Sequence, residues 1–117
     1  LDGAQDQLDF LLGRNPQGIC FVSGIGSRSV EHICHTFARA KGLTGKAMIP
    51  GLLAGGANEL EQSNIAPKHQ GLKSYADDER SYATNENAID YNASAIALVV
   101  RLIAELEREL SASEHRK

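Results

Sequence analysis

What most constrains this chain is a missing repeat. Two segments with clear helical periodicity flank about seventy residues that sustain neither a helical nor a strand pattern, a connection far longer than those inside small self-sufficient domains. The first segment runs from Asp2 to Leu12, where Ala4, Leu8, Leu11 and Leu12 recur at helical spacing. Asp2 can cap its start and Gly13 can end it with a left-handed residue. A helix already under way at the first residues points to chain preceding it. The second segment runs from about Ala88 toward Leu110. Ile89, Ala93, Ile96, Val100 and Ile103 form one apolar line, and Val99, Leu102, Leu106 and Leu110 widen it. So broad a face is suited to packing between other helices. The polar tail from Ser111 to Lys117 is expected to fray.

The intervening stretch is punctuated by turn chemistry. Asn15-Pro16 and Gly18 predict turns, and Ile19 to Val22 reads as a short extended piece beneath a core. Gly24 and Gly26 permit tight turning or close approach to a ligand, but the third glycine of a phosphate-binding loop is missing. Ser29 to Lys41 predicts a short amphipathic helix with Ile33 and Phe37 inside and Gly42 at its end. His32, Cys34 and His35 fall in this piece. Imidazole and thiolate are zinc ligands, yet neither a Cys-x-x-Cys pair nor a second cluster accompanies them. Gly42, Gly45, Gly51, Gly55 and Gly56 predict a closely packed buried loop, whereas Glu59 to Ser74, with Pro67 and Gly71, predicts a solvent-exposed excursion.

Composition excludes several classes. A formal net charge of −3 with 5% aromatic residues offers no electrostatic footprint for nucleic acid. No apolar run approaches bilayer length, so no membrane partner is expected. No targeting signal opens the sequence; in an exported parent it would lie upstream of Leu1. Cys20 and Cys34 make no disulfide framework and are expected as free thiols, although a single bridge is compatible with their spacing.

The densest chemistry lies between Tyr75 and Ala93. Asn87 precedes Asp90 by three residues, a local helix-start signal, which places Glu86 at or just before a helix N-terminus. There a carboxylate either complements the helix dipole or performs chemistry. Asp77 is open to a similar pair of readings, as a loop-capping acid or as a partner of Glu86.

The order of residues here resembles the C-terminal signature of family 9 glycoside hydrolases, the cellulase family of inverting β-glucanases. Tyr75, Asp77, Tyr82, Glu86, Ala88, Asn92 and Ala93 fulfil it. Two further stretches agree in order, Leu11 to Gly18 running into Phe21 to Gly24, and the glycine-rich run from Pro50 to Asn58. The resemblance implies an all-α fold, with residues 1–117 as the C-terminal portion of one catalytic domain: a fragment of an (α/α)6 barrel with long cleft loops. It implies Glu86 as proton donor, Asp77 in a supporting active-site role, and Tyr91, His35 and Tyr82 as sugar-contacting residues. No cofactor or metal is expected, and the resemblance suggests secretion or a periplasmic location.

An inverting glycosidase needs a protonated acid on the leaving oxygen and a second carboxylate, about 6.5–9.5 Å away, that activates water. The family places the water-activating aspartates in an Asp-Ala-Gly-Asp-like motif near the start of its catalytic domain, and this chain contains none. The expected partners are therefore a β-linked oligosaccharide or polysaccharide and the N-terminal part of the domain carrying the base. The fragment alone is expected to be inactive. One departure bears on substrate. Where family members carry a proline followed by His-His-Arg, this chain has Cys34 for the first histidine, His35 matching the second and Thr36 for the arginine. Cysteine and threonine offer a sugar hydroxyl much less than a histidine and a guanidinium fork. A β-1,4-glucan is the first expectation; an exo-acting β-glucosaminidase-like enzyme and a non-catalytic helical carbohydrate-binding or interaction module are the alternatives.

Overall fold

The computed structural model describes residues 2–115, and among these residues the regular elements are helices, without a named strand. Helix α1 spans Asp2–Leu12, α2 Thr36–Ala40, α3 Tyr82–Asn85 and α4 Ile89–Glu114; single 3-10 turns occupy Gly45–Ala47 and Gly71–Lys73. The expected all-α class holds. The first helix ends at Gly13, whose N–H meets the Phe10 carbonyl while the Arg14 N–H meets that of Asp9. This paired closure needs the positive φ that Gly13 adopts.

Helices α1 and α4 pack against each other. Tyr91, Ala95 and Leu98, at helical spacing along α4, line a groove of about 390 Å³ shared with Gln7 and Leu11 of α1 and with Leu53 to Gly55. Leu102 is the residue of α4 that becomes fully buried. The core itself lies among the loops. Phe21, Val30, Ile33, Met48, Leu53, Ala54 and Tyr75 form one cluster, with Phe10 and Leu11 of α1 packed on its edge. Phe21 anchors it, stacked on Phe10 at 6.1 Å and edge-on to Tyr75 at 4.9 Å between ring centroids.

Several local expectations are corrected. The helix predicted across Ser29 to Lys41 shortens to α2, because Val30 and Ile33 are taken into the loop core before it starts; Phe37 ends up 56% exposed. The excursion from Glu59 to Ser74 is largely exposed, as expected, but it is wrapped on a buried acid. Glu61 accepts hydrogen bonds from Ser63, from Ser81 Oγ at 3.3 Å and from the Ile65 N–H at 2.7 Å, which accounts for a carboxylate with no exposed surface. Ala66 and Ser74 are buried with it. The last helix is not capped by Asn87. Its cap is Ala88, which has no capping side chain, because the Asn87 amide is committed to the Leu53 carbonyl and to Asn92 Oδ1. The helix also continues through the predicted fraying tail to Glu114; Arg116 and Lys117 of that tail lie outside the described residues. Both thiols are free, as expected, with Cys20 buried.

Candidate active site

The residue on which the sequence converged, Glu86, sits in a three-segment ladder. Residues 84–87 run between the segment 32–34 on one side and 53–56 on the other. The Cys34 N–H donates to the Asn85 carbonyl (2.9 Å), the Gly55 N–H to the Glu86 carbonyl (2.9 Å) and the Gly56 N–H to that of Thr84 (2.8 Å). Cys34 thus pairs with Glu86, and Ala54 with Asn87. Extended backbone at Glu86 (φ −75°, ψ 142°) follows from this double pairing, and it separates α3 from α4. The main chain is held on both flanks while the side chain is exposed. Among the described residues no hydrogen bond or ion pair occupies the Glu86 carboxylate.

Asn92 latches the first turn of α4 to the same ladder. Its Oδ1 accepts from the Leu53 N–H (3.1 Å) and from Asn87 Nδ2 (2.6 Å), and its Nδ2 donates to the Gly51 carbonyl (2.6 Å). The glycine-rich run beside it, expected as a buried loop, is instead exposed at Gly42, Gly51 and Gly55, while Met48, Leu53 and Ala54 are buried along it. A side chain built on Gly55 would lie 3.4 Å from both the Glu86 carbonyl oxygen and the Tyr91 ring. That is ordinary van der Waals contact, and Tyr91 packs beside the ladder while staying 42% exposed.

Asp77 is brought to this region by its hydrogen bonds. One carboxylate oxygen accepts from the Glu31 N–H (2.8 Å), and the other from the His32 N–H (2.9 Å) and Asn85 Nδ2 (3.0 Å). Of the two readings that the sequence left open, this geometry is that of a loop-capping acid, and it reaches Glu86 through the neighbouring Asn85. Asp77 also lines an open polar hollow of about 500 Å³ with His32, Thr44, Asp78, Glu79 and Arg80. His32 Nδ1 lies 2.6 Å from Thr44 Oγ1 there. The Arg80 guanidinium, hydrogen-bonded to Asp78, holds that carboxyl at about 2, well below the usual carboxylate range.

His35 caps α2, its Nδ1 accepting from the Ala38 N–H at 3.3 Å. An Nδ1 that accepts places the ring hydrogen on Nε2, leaving that edge as a donor. Tyr82 opens α3 and is 52% exposed. Cys34 receives a hydrogen bond from Arg39, whose guanidinium also donates to the Glu79 carbonyl at 2.8 Å. Sequence reasoning missed Arg39, the buried Glu61 and above all Asn85. The last is fully buried and joins Tyr75, Asp77 and His32. No local signal marks it, since its partners lie eight to fifty-three positions away. Tyr75, its hydroxyl on Asn85, is held protonated far above the ordinary tyrosine range, first by burial and then by the nearby Asp77 charge.

Comparison with known proteins identifies the relatives of the chain. The sequence profile described as Glycosyl hydrolase family 9 matches residues 1–99. A xyloglucan-specific endo-beta-1,4-glucanase of Bacteroides ovatus is 39% identical over 105 residues, which is 89% of this chain and 18% of the relative. Among solved structures, a metagenome-derived glycoside hydrolase family 9 endoglucanase superposes with a TM-score of 0.72 at 42% identity, covering 81% of this chain and 16% of that one. AaCel9A in complex with cellobiose-like isofagomine superposes with a TM-score of 0.77 at 34% identity, covering 86% and 20%. These neighbours are (α/α)6-barrel enzymes, of which the chain spans about a fifth or less. A profile match over most of the chain, with shared sequence and backbone, establishes that the chain belongs to glycosyl hydrolase family 9.

Proposed function

We propose that residues 1–117 are the acid-bearing C-terminal portion of the catalytic domain of an inverting glycosidase acting on β-1,4-linked glucans. Glu86 is the general acid. The observation that carries this reading is a main chain fixed on both flanks beneath an exposed, unengaged carboxylate. Catalytic groups must be held within a fraction of an ångström while their reacting atoms stay accessible. The names of the relatives support the substrate class, one a xyloglucan-specific endo-β-1,4-glucanase and another in complex with cellobiose-like isofagomine.

In this mechanism Glu86 donates its proton to the glycosidic oxygen as the bond to the anomeric carbon breaks. A base from the N-terminal part of the domain removes a proton from water attacking the opposite face. Tyr91 provides an aromatic surface beside the acid, with Tyr82 and the Nε2 edge of His35 as further sugar contacts. The N-terminal part would also cover the apolar line left exposed along α4, where Ile89 is 90% and Leu110 65% exposed. Asp77 acts by capping residues 31–32 and holding Asn85.

Substitution Glu86→Gln in the full-length protein, assayed on an unactivated β-1,4-glucan, is expected to lower kcat by on the order of 10²–10⁴-fold with folding intact. A variant retaining most of its turnover would return Glu86 to a dipole-complementing role and favour a binding module. Cys34 and Thr36 motivate a second reading, a β-glucosaminidase-like enzyme acting from chain ends. Preference for an aryl β-glucosaminide over the corresponding glucoside would select it.

A further inference from the structure

We propose that Asn85 is the positioning residue of the general acid, its buried side-chain amide setting the main-chain course of Glu86 by tying Tyr75, Asp77 and His32 to one point. This rests on the reading of Glu86 as the acid. Asn85 is fully buried, and its amide orientation is fixed by chemistry. The His32 carbonyl (2.8 Å) and the Asp77 carboxylate (3.0 Å) can only accept, so both must face Nδ2, and each takes one of its two hydrogens. Oδ1 is then left to the Tyr75 hydroxyl, which donates to it. A carboxylate at this position would set oxygen against two acceptors, and an alanine would leave the buried Tyr75 hydroxyl and the part-buried His32 carbonyl and Asp77 carboxylate each one bond short.

The backbone of Asn85 is as constrained as its side chain. Its N–H donates to the Ser81 carbonyl (2.7 Å) and its carbonyl accepts from the Cys34 N–H (2.9 Å). With the side chain on His32 and the carbonyl on Cys34, Asn85 grips the 32–34 segment at two points two residues apart. The next peptide carbonyl, that of Glu86, is taken by Gly55. Between these fixed points the direction in which Glu86 leaves the main chain is determined, and only its side-chain torsions remain to be set. Removing the Asn85 amide releases one of the two points and leaves the other ladder bonds in place. The predicted defect is a misaimed acid in a folded protein.

The test compares two aryl β-cellobiosides on the full-length protein. With 2,4-dinitrophenol as leaving group departure needs no proton, whereas with unsubstituted phenol it does, so a misaimed acid harms only the second. Asn85→Ala and Asn85→Asp are expected to lower kcat on the phenyl substrate by about 10²-fold, with loss on the dinitrophenyl substrate within about threefold and little change in KM. Glu86→Gln must show the same selectivity, more strongly. Equal loss on both substrates from the Asn85 variants, with Glu86→Gln still selective, would make Asn85 a structural residue only. Loss of selectivity in Glu86→Gln itself would overturn the acid assignment, and the role of Asn85 with it. Should the Asn85 variants not fold, Tyr75→Phe, which removes one donor and keeps the ring, decides: a smaller but selective loss upholds the role, and an equal loss ends it.

Discussion

The loops of this chain are better packed than its longest helix. Between Phe21 and Ser81 lie most of the buried residues, and the loop residues Ser23, Glu61, Ser74 and Ser81 among them are each hydrogen-bonded. Across its 26 residues α4 buries Leu102 and exposes Ile96 by 61%, Val100 by 59%, Ile103 by 50% and Leu106 by 51%. Regular structure and burial have parted company here. The loops carry a finished interior of their own, whereas the helix has one face against α1 and another suited to cover that these residues do not supply.

Three measurements press on that contrast. The largest effect is expected in the loops. Phe21→Ala removes a ring that is 2% exposed and touches both Phe10 and Tyr75, and should cost about 3–5 kcal/mol by denaturant unfolding. A cost under about 1 kcal/mol would mean that the loop core is loosely formed. Next comes the exposed face of α4. Ile96→Gln with Val100→Gln should shift the stability of the 117-residue chain by within about 0.5 kcal/mol per site. In the full-length protein the same pair should cost about 1.5–3 kcal/mol per buried side chain. Indifference in both settings would leave the face truly solvent-facing and erase the contrast.

The smallest effect concerns the rim of the polar hollow. Asp78 is depressed to about 2 by hydrogen bonds from the Arg80 side chain and N–H, so the folded state binds fewer protons than the unfolded chain between the ordinary carboxylate range near 4 and about 2. Its stabilisation is therefore present above about pH 4 and is lost as pH falls through about 2. Both groups face solvent, so the contribution is slight and fades with salt. Following the Asp78 carboxyl by NMR titration, Arg80→Gln should return its midpoint toward the ordinary range; an unmoved midpoint would detach the pair.

Legibility in the sequence followed the range of the interactions. Helix α1 was readable to the residue, because Ala4, Leu8 and Leu11 repeat within one turn of each other and Gly13 closes the helix locally. The existence of α4 was equally plain, but its cap was not. Asn87 carries a helix-start pattern, yet its amide is claimed by Leu53, thirty-four positions away. The same reason hid Glu61, whose buried carboxylate depends on Ser81, and Asn85, whose three side-chain partners come from two other segments. Glu86 could be singled out because its neighbours fit an ordered signature. The device that holds it is a set of long-range contacts to which no local period corresponds.

The ladder around Glu86 also has an order in synthesis. Its outer members, residues 32–34 and 53–56, both precede the middle member, residues 84–87, in the chain. During synthesis, at about 5–20 residues per second, the two rails therefore emerge seconds before the rung that joins them. Until the rung arrives, the N–H groups of Cys34, Gly55 and Gly56 have no ladder partners, and Asp77, Tyr75 and His32 have no common amide. Glu86 thus reaches the ladder after both of its rails, and α4, whose Asn92 latches the first turn to Gly51 and Leu53, follows it.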